Sequence, residues 1–243
     1  MNDHPADAAA ETTPDPPHDP ARRVDRPVGR RERIVSILLV LTLLFLLLDT
    51  LYPMFNGVSA RAFITAASAQ AHGVHIGLMQ YASDHDGEFP IGEHDSNEAL
   101  RQLIPRYVED EKPFYVAGSA WHTAPQHGEL GPGPDNLIGD PPDYPRALEE
   151  GENHWAYVSG LNNHSDERLP LLADGFSYIV GTYATHPSRR GGVWRGSKAI
   201  VTYADGSTRS EFIDPKTLRV LKNGRDLFDP ASIPPGTKIL NPR

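Results

Sequence analysis

Histidine and acidic side chains are the residues of this chain that could do chemistry, and a few of them have the spacing of metal ligands. His72 and His75 stand at positions i and i+3, which brings both imidazoles to one side of a helix, where they could ligate one ion. No carboxylate stands at the spacing that would complete a zinc motif with them. We therefore expect both histidines to be solvated positions on a helix.

The segment Asp84-x-Asp86-Gly87-Glu88 has the beginning of a calcium-binding loop. A third acidic position and a closing glutamate at the required spacing are missing. The pattern therefore favours a turn that ends a helix. Calcium at this turn, or beside Asp174 or Asp205, stays open for a domain outside the cytoplasm.

Catalytic patterns are weak in this chain. The tripeptide Ala-Asp-Gly occurs at 173–175 and at 204–206, and tight turns account for both. His154, Asp166 and a serine can be combined into a triad on paper, and His186 is a second histidine that a hydrolase could use. There is no Gly-x-Ser-x-Gly, no His-Glu-x-x-His and no phosphate-binding glycine loop. We predict no catalytic, cofactor-binding or metal-binding residue, and no enzyme.

Three further side chains lie in a long loop and could contact a ligand or pack against the rest of the domain: Trp121, His122 and His127.

Composition excludes several classes of function. The 243 residues include 23 Lys and Arg against 32 Asp and Glu, a net charge of -9, whereas a nucleic-acid-binding protein needs a basic face. Cysteine is absent, which excludes disulfides, Cys-ligated zinc, iron–sulfur clusters and a thiol nucleophile. The 23 prolines and 21 glycines predict long loops.

A transmembrane helix is predicted over residues 34–52. The run 34–48 reads IVSILLVLTLLFLLL, and its extension to Tyr52 is just long enough to span a bilayer of about 30 Å. Arginines before this run place the N-terminus in the cytoplasm by the positive-inside rule: Arg22, Arg23, Arg26, Arg30, Arg31 and Arg33. Residues 1–33 lack aromatic side chains and are predicted to be a disordered cytoplasmic tail. A cleaved signal peptide, with Ala60-Arg61-Ala62 as the cleavage triplet, is the alternative.

A stalk helix is predicted over residues 58–84, after a bend or an interruption at Pro53 and Asn56-Gly57. Gly73 and Gly77 would leave a flat spot for close packing on this helix. Its apolar face follows a helical period: Ile64, Ala67, Ala71, Val74, Leu78 and Tyr81.

An α+β head outside the cytoplasm is predicted over residues 85–213. Asp95 and Glu98 form a capping pair that opens a helix, which ends at Pro105. Asp205-Gly206 predicts the turn of a hairpin. The predicted strands are 114–116, 154–159, 169–173, 177–183, 198–203 and 208–213, and residues 214–243 are predicted to be an extended tail.

Three stretches carry a resemblance to a known family. They are AQAHGVHIGLMQYASDHDGEFP at 69–90, LRQLIPRYVEDEKPFYV at 100–116, and the run from NHWAYVSGL to AIVTYADGSTRSEFI at 153–213. In this order they resemble bacterial pseudopilin-like proteins, the prepilin-type proteins with a His-x9-Asp-Gly motif that are related to the major pseudopilin of type II secretion. The resemblance implies a pilin-like fold, with the transmembrane and stalk helices followed by a small antiparallel sheet.

Three features of that family are absent. One is the acidic residue inside the apolar segment, since residues 34–48 contain no carboxylate. The prepilin cleavage motif is missing, because Gly29 is followed by Arg30-Arg31-Glu32-Arg33. Ten residues before Asp205 stands Arg195, where the His-x9-Asp-Gly motif has a histidine.

These observations predict a membrane-anchored structural or interaction protein of the cell envelope, associated with type II secretion or pilus-type machinery. It would cross the cytoplasmic membrane once, with the N-terminus inside and the head outside. The expected partners are the lipid bilayer, envelope or secretion proteins, and other copies of the chain through the N-terminal helix; nucleic acid is not expected. The alternative is an anchored module that binds a ligand or polysaccharide through the loop 117–152.

Overall fold

The computed structural model describes residues 29–122 and 133–243 of the chain. The chain divides into two compact units, residues 1–54 and residues 55–243. The prediction of a disordered tail therefore falls largely on residues 1–28, which lie outside the described residues, as does His127. The second unit is an α+β fold with a five-stranded antiparallel sheet, as the sequence predicts.

Helix α1, Arg30–Asp84, contains the apolar run. It begins at Arg30 rather than at residue 34, and it continues without a break through Pro53 and Gly57. Of the predicted bend or interruption, the interruption does not occur, because a proline inside a long helix removes one hydrogen bond without having to end the helix.

The side chains of the apolar run are described from Ile34 to Leu47, and all of its large apolar side chains are exposed. The side chains of residues 48–60 lie outside the description. Within the described residues, no helix combines the length and the apolar character that a membrane crossing requires.

The last turns of α1 pack on the sheet of the second unit. Ala67, Ala71, Val74 and Leu78 of the predicted apolar face are fully buried in the core, which confirms the period read from the sequence. This helix ends where predicted, at a turn in which the amide of Gly87, with φ of 89°, donates to the carbonyl of Ala82 over 2.8 Å.

The central sheet has five strands: β1 Trp155–Ser159, β2 Pro170–Asp174, β3 Lys198–Tyr203, β4 Thr208–Phe212 and β7 Lys238–Leu240. Its order is β4-β3-β2-β1-β7, and every neighbouring pair is antiparallel. The predicted strands 154–159, 169–173, 198–203 and 208–213 are confirmed within a residue or two at either end. The hairpin turn at Asp205-Gly206 is also confirmed, with φ of 81° at Gly206.

Two predicted strands are absent. Residues 112–114 form a 3₁₀ turn in place of the strand predicted at 114–116. Residues 177–183 form a turn in which the amide of Ser177 donates to the carbonyl of Thr182. Both segments are short apolar runs, and such runs do not distinguish a strand from other buried structure.

The C-terminal segment 214–243 is part of the core and not a surface tail. It contributes β5 Leu221–Lys222, β6 Arg225–Asp226 and β7, which pairs with β1 and completes the sheet. Val220 and Phe228 bury the face of the sheet opposite α1, against Ala173 and Val201. The sheet is thus covered on both faces, so β1 and β2 are buried at every residue and show no polar side.

The predicted helix after Asp95 is α2, Ser96–Leu100, extended by a 3₁₀ turn over Arg101–Leu103 and followed by Pro105. The Asp95 carboxylate accepts a hydrogen bond from the amide of Glu98 over 2.9 Å, which confirms the cap. The Glu98 carboxylate binds the amides of Glu93 and His94, and so fixes the loop that leads into the helix.

Gly73 and Gly77 of α1 differ in their surroundings. A Cβ on Gly77 would lie 2.5 Å from Cγ2 of Val108, whereas a Cβ on Gly73 would meet nothing within 4 Å. The predicted close approach therefore occurs at Gly77 alone.

We expect Gly73→Ala to raise the free energy of unfolding by about 0.5–1 kcal/mol, because alanine costs less backbone entropy than glycine in a helix. We expect Gly77→Ala to lower it by about 1–3 kcal/mol, because the stiff β-branched Val108 must move to make room. Urea unfolding of the full chain and of both variants measures the difference. Equal effects of the two substitutions would contradict the packing at Gly77.

Candidate functional site

The two histidines of α1 have different surroundings. His72 is exposed, but His75 is buried, with Nε2 3.4 Å from the carbonyl of Ala204. The expectation of solvation is therefore wrong for His75, whose ring fills the space beneath Gly206 of the β3–β4 hairpin. Burial lowers its pKa. The tertiary contact with the hairpin, which helix periodicity does not reveal, explains the difference.

The start of a calcium loop at Asp84 is a helix-ending turn, in agreement with the sequence. The Asp84 carboxylate binds the guanidinium of Arg106 at 2.7 Å and accepts a hydrogen bond from the hydroxyl of Tyr107 at 3.1 Å. The Asp205 carboxylate likewise serves its own turn, since it accepts a hydrogen bond from the amide of Ser207 over 2.8 Å. Protein groups near each turn therefore account for the position of both carboxylates.

Asp174, by contrast, is not a turn residue. It is the last residue of β2, and its side chain is 1% exposed. Its carboxylate accepts hydrogen bonds from Nε2 of His154 at 2.7 Å, Nε1 of Trp194 at 2.7 Å and the amide of Ile200 at 2.6 Å. Three donors from three separate segments therefore meet at one buried carboxylate, which satisfies the charge without a lysine or arginine.

A buried serine extends this network. Nδ1 of His154 lies 2.7 Å from Oγ of Ser119. In the tautomer in which Nε2 donates to the Asp174 carboxylate, Nδ1 is the acceptor and the Ser119 hydroxyl donates to it. The amide of Trp121 donates in turn to the Ser119 oxygen over 3.2 Å. We call these three side chains, Ser119, His154 and Asp174, the buried relay.

The buried relay has the connectivity of a hydrolytic triad, in which a histidine polarises a serine hydroxyl and a carboxylate orients the histidine. Ser119 and His154 are each 1% exposed, so no substrate carbonyl can approach Oγ in this conformation. The hydrogen bonds of the buried relay hold the loop after Val116 against β1 and β2.

Asp166 and His186, the other residues that a hydrolase could use, lie at the surface. Asp166 binds the guanidinium of Arg168, which lowers the pKa of its carboxyl to about 2, and it does not contact His154. His186 is exposed and shares a hydrogen bond of 2.7 Å with the hydroxyl of Ser188. The aspartate partner of His154 is therefore Asp174 and not Asp166.

Trp121 and His122 pack in the interior. Nδ1 of His122 lies 2.8 Å from the carbonyl of Gly151, and Nε2 accepts a hydrogen bond from the amide of Val116 over 3.0 Å. Burial lowers its pKa to about 4, so this histidine is neutral at physiological pH. Trp121 is 3% exposed beneath the guanidinium of Arg190. Of the two alternatives, ligand contact and packing, both residues show packing.

An acidic cluster that the sequence did not predict lies in the long loop. Glu111, Asp135 and Glu152 each place a carboxylate oxygen within 4.8 Å of the other two, a donor set that could hold a divalent cation. They are scattered along the chain at no motif spacing, and only the folded loop brings them together.

The two glutamates of this cluster are buried and bind backbone amides. Glu111 accepts from the amides of Leu148 and Asn136, and Glu152 from those of Glu149 and Asp135. Burial raises the pKa of Glu111, and burial together with the charge of Glu111 raises the pKa of Glu152 to about 7. The Glu152 carboxyl therefore titrates near neutral pH.

Comparison with known proteins gives no relative: no family model, no curated protein and no solved structure matches the chain.

We expect Asp174→Ala to lower the free energy of unfolding by about 3–5 kcal/mol, because it leaves three buried donors without an acceptor. Asp166→Ala, which removes an exposed carboxylate, serves as the control and is expected to leave stability unchanged. Chemical unfolding of the full chain followed by tryptophan fluorescence measures both. Similar small effects of the two substitutions would show that the buried relay does not support the fold.

The acidic cluster predicts a pH dependence of stability. Because the folded state raises the pKa of Glu152 from 4.5 to about 7, the folded chain binds the proton more tightly than the unfolded chain. The free energy of unfolding should therefore fall as the pH rises from 4.5 to 7, and Glu152→Gln should flatten this fall. Glu150→Gln, which changes an exposed neighbour, is the control, and equal pH profiles of the two variants would contradict the interpretation.

Proposed function

We propose that this protein is a membrane-anchored, pseudopilin-like structural or interaction protein of the cell envelope, associated with type II secretion or pilus-type machinery. The observation that supports the anchor is the exposure of the apolar run in α1. From Ile34 to Leu47 its large apolar side chains are exposed all round the helix, with Phe45 at 70%. A helix that is apolar on every side is stable in a lipid or in a protein core, and no described residue covers this run.

The orientation of the anchor follows from charge. Arginines precede the apolar run and acidic residues dominate after it, so the N-terminus stays in the cytoplasm and residues beyond 53 are outside. The absence of cysteine is compatible with this location, because the second unit has a core covered on both faces of its sheet and needs no disulfide.

The pilin-like part of the proposal is supported by architecture. The end of an N-terminal helix, with the small residues Ala67, Ala71 and Gly77 on its packed face, lies on an antiparallel sheet. This arrangement is the one that the family resemblance implies. The N-terminal part of the helix remains available to contact lipid or the same helix of another copy.

Contact rather than catalysis is the mode of action that we propose. The one Ser-His-Asp arrangement among the described residues is enclosed, and its groups are used to hold the loop and the sheet together. The partners proposed are the lipid bilayer, envelope or secretion-machinery proteins, and other copies of the chain through α1.

A second candidate function is an anchored module that binds a ligand or polysaccharide through the loop 117–152. One observation bears on it, a cavity of about 300 Å³ at the edge of this loop, lined by Pro134 from the loop and by Gln70, Lys112 and Tyr115 from outside it. Its size is at the lower limit of small-molecule sites. This candidate requires a soluble ligand, whereas the first requires a protein partner in the envelope.

We expect a double substitution Leu41→Asp and Leu44→Asp to move the protein from the membrane to the soluble fraction. Each aspartate costs about 2.5–3.5 kcal/mol at the centre of a membrane helix. The control is Ile91→Asp with Leu137→Asp, which places the same charges on exposed apolar positions of the second unit. Carbonate extraction and fractionation measure retention, and in vivo crosslinking of the wild type identifies neighbours. An alkali-extractable wild type would overturn the anchor, and a monomer without envelope neighbours would overturn the assembly role.

A further inference from the structure

Three consecutive apolar side chains lie exposed at a turn that follows β2. Tyr178, Ile179 and Val180 are 87%, 63% and 38% exposed. Single apolar residues are common on protein surfaces, but a consecutive exposed run is unfavourable in water unless something covers it. We call residues 177–182 the apolar turn.

The apolar turn is held in place by the core. The amide of Ser177 donates to the carbonyl of Thr182 over 2.8 Å, and the amide of Thr182 donates to the carbonyl of Ile179 over 3.0 Å. The residues on either side of the turn, Phe176 and Tyr183, are buried in the core. The exposed side chains are therefore presented by a fixed turn, so a ligand that covers them does not have to order the backbone first.

A second exposed ring lies at the same end of the sheet. β3 begins at Lys198 and β4 ends at its partner Phe212, beside the point where the antiparallel β2 ends. Phe212 is 75% exposed, and Nζ of Lys198 lies 5.5 Å from its ring centre. The guanidinium of Arg190 likewise lies 5.9 Å from the ring centre of Tyr178. Each exposed ring therefore has a cation close to it.

The segment that contains the apolar turn is basic. Residues 175–204 include no aspartate or glutamate, although the whole chain has a net charge of -9. None of the cations in this segment forms a salt bridge with a carboxylate that the structure describes. These cations are Arg189, Arg190, Arg195 and Lys198.

Carboxylates from neighbouring segments do not cancel this charge. Asp174 is enclosed in the buried relay, with 1% of its side chain exposed. Asp226 lies close to the turn but is bound by the guanidinium of Arg219. Asp214 accepts hydrogen bonds within its own turn and has Lys216 as a compensating neighbour. The free charge at this end of the sheet is therefore positive.

Helix α1 runs along the sheet away from the apolar turn. β1 begins where β2 ends, with Trp155 opposite Asp174. The turn that ends α1 lies beyond the other end of β1, because the carbonyl of Gly87 accepts a hydrogen bond from the amide of Asn163 over 2.9 Å. The C-terminal end of α1 and the apolar turn therefore lie at opposite ends of the sheet.

An earlier residue of α1 lies at the end of the sheet that has the apolar turn. Gln70 lines a cavity together with Tyr115. The neighbouring Phe114 accepts at its carbonyl a hydrogen bond from the amide of His154, directly before β1. The part of α1 that precedes Gln70 therefore leaves the sheet at the same end as the apolar turn.

The exposed apolar area is too small for a stable protein interface. Tyr178, Ile179, Val180 and Phe212 together expose about 500 Å², at about 200 Å² for a fully exposed large side chain. A stable protein–protein interface buries about 800 Å² on each partner. A bilayer surface sets no such minimum, because each apolar side chain that enters it contributes separately.

The charges point to the same ligand. Apolar side chains enter the boundary between headgroups and acyl chains, tyrosine lies at the level of the headgroups, and cations attract anionic lipid. An anionic surface repels the chain as a whole, because its net charge is -9, and attracts it only where the basic segment is. A bilayer with anionic headgroups is therefore complementary to this end of the sheet in both charge and polarity.

We propose that the apolar turn inserts into the surface of an anionic lipid bilayer, with the cations of residues 175–204 binding the headgroups. The inference rests on the proposed function, because the anchor is what brings the second unit to a membrane. It goes beyond that function, because it gives the second unit a lipid contact of its own and a defined orientation on the bilayer.

The test places a fluorophore at the apolar turn. The chain has no cysteine, so Ile179→Cys can be labelled at one site with nitrobenzoxadiazole. The control is His164→Cys, an exposed position in the loop that follows β1 at the other end of the sheet. Each full chain is reconstituted into vesicles of phosphatidylcholine and phosphatidylglycerol that contain a nitroxide-labelled lipid. We expect blue-shifted emission and quenching by the nitroxide at position 179, and the emission of a water-exposed fluorophore at position 164.

The role of the cations is measured in the Ile179→Cys background. We expect the double variant Arg189→Gln and Lys198→Gln to lower the ratio of inserted to free turns by about tenfold or more. The matched control removes two exposed cations elsewhere, Arg225→Gln with Lys238→Gln, and should change this ratio by less than about twofold. Circular dichroism of each variant checks that the fold is intact.

Vesicle flotation of the same samples reports the membrane anchor independently. Chains that float but show equal emission at positions 179 and 164 overturn this proposal and leave the anchor standing. Chains that do not float overturn the anchor and this proposal together. A blue shift without nitroxide quenching assigns the turn to a protein contact, and an equal effect of the two double variants removes the headgroup contact; each of these results also overturns the proposal.

Discussion

One buried carboxylate constrains the architecture of the second unit. Asp174 ends β2 and accepts hydrogen bonds from the amide of Ile200 in β3, from Trp194 in the loop before β3 and from His154 at the start of β1. Burying a carboxylate is costly unless it is paired or hydrogen-bonded. The requirement to supply these donors therefore fixes where the three segments lie, and through Ser119 it also fixes the loop after Val116.

The C-terminal segment covers the second face of the sheet. A sheet with apolar residues on both faces needs two covers, and α1 supplies only one. Residues 213–228 supply the other through Val220 and Phe228, and β7 then returns to pair with β1.

The distribution of polar chemistry fits a protein that acts by contact. The groups with catalytic connectivity are enclosed in the interior, and the acidic cluster of Glu111, Asp135 and Glu152 binds backbone amides of its own loop. The apolar run of α1 remains at the surface. We interpret it as the surface for lipid.

The sequence by itself determined the features that depend on neighbours along the chain. The helical period of Ala67 to Leu78, the cap at Asp95, the β3–β4 hairpin and the α+β class were all readable, because each follows from spacing within a few residues. The same local reasoning failed at the strands predicted for 114–116 and 177–183. Their composition suits a strand, but nothing in the sequence reports that no partner strand is available.

Tertiary structure alone decided the contacts between distant segments. Asp174 meets Trp194 and His154, and Glu111 meets Glu152, across separations at which no spacing rule applies. A turn motif and a buried network use the same tripeptide, Ala-Asp-Gly, so residue type could not distinguish Asp205 from Asp174. Burial made the difference, because a carboxylate out of water must find its donors wherever the fold brings them.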